Sequence, residues 1–146
     1  MGTSTPSFDL ETKVNQTFET AHITKQLLEE TAKQFEGEIT QIPPIFSALK
    51  KDGKRLYKLA RKNKKVEIES RKVTIRSFKI TKINIPEVSF KISCSKGTYI
   101  RSIVNDFGKA LNSGAHLSEL CRTKIGDYDL QEAANIKELE EKINLL

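Results

Sequence analysis

Tyr99 and Arg101 lie where an alternating strand pattern passes into a helical one. Val88, Phe90, Ile92 and Cys94 alternate with Ser89, Lys91 and Ser93, the mark of a half-buried strand. Ser95-Lys96-Gly97-Thr98-Tyr99-Ile100-Arg101 follows. Gly97 permits a sharp turn, and Thr98 can cap a helix whose apolar face is Ile100, Ile103, Val104, Phe107 and Leu111. Asn112 and Gly114 end that helix. A helix start presents unpaired N–H groups and a partial positive charge. With the Arg101 guanidinium added, the place suits an anion, either a phosphate or a carboxylate from elsewhere in the protein. A surface salt bridge by Arg101, with Tyr99 covering the core edge, satisfies the same spacing, and both readings stand on spacing alone.

A second group of chemistry-bearing residues lies at 50–65, where nine bases face the single acid Asp52. That segment sums to +8, against −4 for residues 1–38, +4 for 66–130 and −2 for 131–146, within a net charge of +6. Lys50, Lys51, Lys54, Arg55, Lys58 and Arg61 form a dense cationic stretch that fits a polyanionic partner, a nucleic acid above all. For any one of these lysines a solvated charge is the plain alternative.

The elements that must position these residues follow from the pattern. Residues 1–22 are polar and read as an extended lead-in. Thr24 caps a helix carrying Leu27, Leu28, Thr31, Ala32 and Phe35, and Gly37 stops it. Pro43 and Pro44 forbid a helix after that, so residues 38–55 form an extended loop or edge segment. Leu56, Leu59 and Ala60 give a short helix one apolar stripe. Strands are expected at Val66–Glu69, Arg71–Ile85 and Val88–Cys94, the latter two joined at Pro86 in a hairpin-like connection. A further strand is expected within residues 116–126, and residues 131–144 form a terminal helix with Ala133, Ile136, Leu139, Glu140 and Ile143 near one face. The order implies an α+β fold with a mixed, largely antiparallel sheet and flanking helices.

Composition excludes several classes. A chain of 146 residues forms one domain without needing disulfides or metals. Cys94 and Cys121, with only His22 and His116 beside them, offer no short metal-ligand spacing and fit reduced thiols in a cytoplasmic protein. No apolar run approaches the roughly 18 residues of a membrane span, and the first residues have no signal-peptide core.

Three stretches carry a resemblance. Gln41–Arg61 (QIPPIFSALKKDGKRLYKLAR), Cys94–Gly108 (CSKGTYIRSIVNDFG) and Gly114–Tyr128 (GAHLSELCRTKIGDY) resemble, in order, three signature blocks of the TruB family of tRNA pseudouridine synthases. Residues 2–11 (GTSTPSFDLE) resemble, more loosely, the end of another block containing a Thr-x-Thr-x-Asp stretch. The resemblance covers nearly the whole chain. It implies isomerisation of uridine 55 in the tRNA T loop to pseudouridine, without cofactor or metal, through attack by an aspartate on a flipped nucleotide. It carries the family's active-site tyrosine onto Tyr99, stacked on the target base, and its arginine onto Arg101, holding the catalytic aspartate ionised. It makes Leu120 an apolar wall of the substrate site. Residues 38–65 become a thumb-like segment closing on the T stem-loop, where the bases at 50–61 meet phosphates. His116, in the family-like Gly-Ala-His-Leu, reads as a hydrogen-bonding structural residue.

One departure matters. The family's nucleophile lies in a Gly-x-Leu-Asp-x-x-Ala block before the Thr-x-Thr-x-Asp stretch, and Asp9, Asp52, Asp106, Asp127 and Asp129 lack those neighbours. Met1, the single methionine, stands where a continuing strand is expected and reads as an introduced start. The chain is therefore expected to be part of a catalytic domain, inactive alone, with Arg101 free or paired to a substitute acid or bound anion. Self-association through residues 1–15 is expected with it. The competing function is a basic RNA-binding module without chemistry.

Overall fold

The computed structural model describes residues 1–47, 68–145 and, as backbone, residues 50–51 and 54–55. Of the strand expected at Val66–Glu69, Val66 and Glu67 lie outside the described residues while Ile68 and Glu69 are not in a strand, and the helix over Leu56, Leu59 and Ala60 also lies outside the described residues.

Helix α1 (Lys25–Gln34) begins as expected at Thr24, whose hydroxyl accepts from Leu27 N at 3.2 Å. Its inner face is Leu28, Thr31 and Ala32. Phe35 caps the other end, and Gly37, at φ +98°, turns the chain into β3 (Gly37–Gln41), a left-handed conformation that glycine adopts without steric cost.

β3 pairs antiparallel with β6 (Arg71–Asn84), which pairs antiparallel with β7 (Glu87–Cys94), giving the order β3-β6-β7. The β6–β7 ladder shifts register between Ile75 and Ser77 and between Ile80 and Lys82, bulges that bend a long strand around its helices. Helix α2 (Ile100–Ala110) follows β7 and buries Ile103, Val104 and Phe107, with Leu111 just beyond. The core lies between α1, α2 and one sheet face. Phe78 is its hub, with ring centroids of Phe107, Phe90 and Phe35 at 5.1, 5.4 and 6.2 Å. The fold is α+β with antiparallel pairing, as the pattern implied.

Two expectations change. Thr98 does not cap α2. Its hydroxyl donates to Ser95 O at 2.8 Å and closes the strand-to-helix turn, leaving Tyr99 as the N-cap residue. Residues 1–22 are not a loose lead-in. β1 (Thr3–Ser4) pairs with β2 (Gln16–Thr17), Gly2 N donates to Gly114 O at 2.7 Å, and Thr5 and Ser7 are buried. Their hydroxyls are satisfied by Asp9 O and Thr12 Oγ1, which is why polar residues can be buried there.

The strand expected within 116–126 is found as the two-residue β8 (Lys124–Ile125), paired with β9 (Tyr128–Asp129), while Leu117 forms a single parallel bridge to Asp9. The residue 8 carbonyl takes the Leu117 N–H at 2.8 Å, so the N-terminal loop supplies that pairing. Helix α3 (Ile136–Asn144) forms behind a capping box of Asn135 and Glu138, yet buries no residue. Segment 42–47 and the two short strands β4 (Lys50–Lys51) and β5 (Lys54–Arg55), which pair with each other, fit the expected extended region.

Candidate active site

The start of α2 is stitched to residues 41–47 by three side chains. Gln41, 1% exposed, closes a two-bond clasp on the Tyr99 backbone: Tyr99 N donates to Oε1 at 2.8 Å, and Nε2 donates to Tyr99 O at 3.0 Å. Ser102 Oγ donates to Ile42 O at 2.8 Å. Arg101 Nη2 donates to Phe46 O at 2.9 Å. Pro43 and Pro44, which have no N–H to satisfy, are fully buried in the segment so held.

The other side of the Arg101 guanidinium faces the N-terminal loop. Nη1 donates to Asp9 Oδ2 at 2.9 Å and lies 3.3 Å from Ser7 O. Both partners of this ion pair are about four-fifths shielded from solvent. Burial alone raises the Asp9 pKa, but hydrogen bonds from Ser7 and the Glu11 N–H, with the Arg101 charge, outweigh it and hold the carboxyl below its ordinary value. Asp9 is therefore a carboxylate over the working pH range. Of the anions the helix start could attract, the structure supplies a carboxylate from another part of the chain. The expectation of a substitute acid for Arg101 is met by Asp9.

Tyr99 is partly buried, with its ring under the Arg71 guanidinium, 5.6 Å from the centroid. One aromatic face is thus oriented by a cation at the start of β6, while the backbone is fixed by Gln41. Neither Gln41 nor Arg71 was singled out from sequence. The signal for Gln41 was its place at a strand end, two residues before a pair of prolines that lack N–H groups.

His116 Nδ1 lies 3.3 Å from Thr3 O and 3.2 Å from Thr3 Oγ1, a structural tie as expected. Leu120 is 58% exposed, and no described contact brings it to the Arg101 cluster. Lys50 and Lys51 of β4 pair antiparallel with Arg55 and Lys54 of β5. Lys58 and Arg61 lie outside the described residues. Among the described residues no group of His, Cys, Asp and Glu is arranged to hold a metal ion, and no helix is long and apolar enough to cross a membrane.

Chemically, the cluster can hold a carboxylate ionised against a fixed guanidinium and offer an aromatic face beside it. Comparison with known proteins gives that arrangement a context. Residues 1–100 match the family profile described as TruB family pseudouridylate synthase (N terminal domain), and residues 101–145 match the tRNA pseudouridylate synthase B C-terminal domain. The tRNA pseudouridine synthase B of Flavobacterium johnsoniae is 60% identical over 143 residues, 98% of this chain and 62% of that protein. The enzyme of the same name from Phocaeicola vulgatus is 46% identical, covering 99% of this chain and 65% of that protein. The chain thus spans somewhat under two thirds of the length of these relatives. Among solved structures, the crystal structure of a Cbf5-Nop10-Gar1 complex matches 67% of this chain and 25% of that one, with a TM-score of 0.50 and 26% identity.

Proposed function

The chain belongs to the TruB family of pseudouridine synthases, and from that premise we propose that it forms the arginine and tyrosine side of the active site of an enzyme converting uridine 55 of the tRNA T loop to pseudouridine. Arg101 orients and keeps ionised the carboxylates of the site. Tyr99, set by Gln41 and Arg71, stacks on the extruded base. The basic residues Lys50, Lys51, Lys54, Arg55, Lys58 and Arg61, in the thumb-like part of a partial catalytic domain, meet phosphates of the T stem-loop, and Leu120 lines the substrate site. Such an enzyme works in the cytoplasm, on tRNA, without cofactor. The observation that carries this reading is the Arg101–Asp9 pair at 2.9 Å, a preformed carboxylate seat at the helix start that the family resemblance marks as catalytic.

The chemistry assigns the bond-making step to a carboxylate that attacks the flipped nucleotide, and positioning alone does not replace a covalent nucleophile. Asp9 is tied within its own loop by the Glu11 N–H at 2.9 Å as well as by Arg101. We therefore assign it to ordering Arg101, and the 146-residue chain alone makes no pseudouridine. Tritium release from 5-labelled uridine in a T stem-loop, at stoichiometric protein, tests this. Product above background that disappears in Asp9→Asn would make Asp9 the nucleophile and overturn the assignment.

A further inference from the structure

The face of the sheet turned away from α1 and α2 is polar throughout. Along β6, Lys72, Thr74, Arg76 and Lys79 alternate with the buried Val73, Ile75 and Phe78. Along β7, Ser89, Lys91 and Ser93 alternate with Phe90, Ile92 and Cys94, which pack against the core. Lys79 stands directly opposite Lys91 in the ladder, flanked by the Ser77–Ser93 and Lys82–Ser89 pairs.

Like charges directly opposite on a sheet repel one another. Among the described residues no ion pair offsets this repulsion. Lys72 is neutralised by Glu38 at 2.8 Å, whereas Lys79, Lys82 and Lys91 join no ion pair among the described residues. Arg76 donates to Cys94 O at 2.8 Å, which holds its guanidinium at the end of β7. The exposed residues of this face include no large apolar side chain, so it does not suit an apolar protein surface. Clustered cations set among serines and threonines suit a chain of phosphates, whose approach releases counterions and relieves the Lys79–Lys91 repulsion.

We propose that this sheet face, centred on Lys79 and Lys91 and flanked by Arg76 and Lys82, is a second RNA-phosphate contact surface, additional to the basic segment at 50–65. The proposal rests on the reading of the chain as part of an RNA-modifying enzyme. Phosphate contacts of this kind position an RNA without reading its sequence.

The test uses the full chain with Lys79→Gln/Lys91→Gln, and a labelled T stem-loop RNA titrated at several salt concentrations. Without RNA, the urea midpoint of the variant at low salt should rise, because a repulsive pair is gone. With RNA, affinity should fall, and the slope of log K against log salt should decrease by about 1.4–1.8, at roughly 0.7–0.9 per phosphate contact. Lys79→Arg/Lys91→Arg should restore both affinity and slope. A raised midpoint with an unchanged slope would mean that the pair is merely solvated, and the proposal fails. Loss of binding to phosphatidylserine vesicles in place of RNA would assign the face to a membrane and equally overturn it. If the wild-type chain binds no RNA, the RNA-enzyme reading fails together with this one. If Lys54→Ala/Arg55→Ala/Lys58→Ala alone flattens the slope, only this proposal falls.

Discussion

Replacing Gln41 with leucine keeps the volume of a fully buried side chain while removing both bonds that seat Tyr99. Each bond contributes about 0.5–1.5 kcal/mol net, and a buried donor left without a partner costs about 1–3 kcal/mol. Tyr99 O still accepts from Ile103 N at 3.2 Å, so the orphaned group is the Tyr99 N–H. Gln41→Leu should therefore lose about 2–3 kcal/mol, a measurable part of the ~5–15 kcal/mol typical of a folded domain. Urea unfolding followed by far-UV circular dichroism gives the loss directly. Gln41→Glu supplies the control. As a carboxylate it turns a charged oxygen on the Tyr99 carbonyl; protonated, it reproduces the amide pattern. Its folded-state pKa is thus raised, so its stability is low at neutral pH and recovers as pH falls through that raised value. A loss under ~0.5 kcal/mol for Gln41→Leu, the range of an inconsequential surface change, would refute the clasp. A Gln41→Glu variant whose deficit ignores pH would do the same.

The Asp9 pKa is lowered on folding, so the Arg101–Asp9 pair stabilises the protein above the ordinary aspartate value of 3.8 and its contribution is lost as pH falls through the lower folded value. Asp9→Asn should flatten that part of the stability profile, and a double-mutant cycle with Arg101→Met should show a coupling of about 0.5–3 kcal/mol; additivity would make the contact incidental. Lys54→Ala/Arg55→Ala/Lys58→Ala should lower the salt slope of RNA binding by about 2–3 and leave the circular dichroism spectrum unchanged, whereas an unaltered slope would remove these residues from the interface. Tyr128, Ile136 and Leu145 are 83%, 78% and 86% exposed, so light scattering across a concentration series should reveal self-association. A monodisperse monomer at high concentration would count against it.

The helices and the long hairpin were legible because their patterns are local. Leu28, Ala32, Ile103 and Phe107 recur at helical spacing, and β7 alternates without a break, so burial followed from period alone. The Thr98 cap was misread because its hydroxyl had two local uses, and the turn to Ser95 prevailed. Residues 1–22 were underestimated because they are held by polar contacts to distant backbone, which leave no apolar period to read. Within the site, the family motif led to Tyr99 and Arg101. Asp9 was visible only as a loosely matching aspartate, and Gln41 and Arg71 gave no motif at all. Each acts on its partner through the fold: Gln41 reaches 58 residues along the chain and Asp9 reaches 92.

Those separations bear on the order in which the molecule is made. The β6–β7 hairpin closes through a turn of a few residues, while Arg101 gathers groups 55, 92 and 94 positions away. Closing a loop of n residues costs about (3/2)RT ln n in entropy, so the guanidinium contacts are penalised by roughly 2 kcal/mol more than a hairpin ten residues around. The three carbonyl and carboxylate contacts of Arg101 thus carry a larger closure cost than the β6–β7 ladder does. The Arg101 cluster is therefore expected to form late relative to the hairpin, an order that φ-values measured at Arg101 and Phe78 would test.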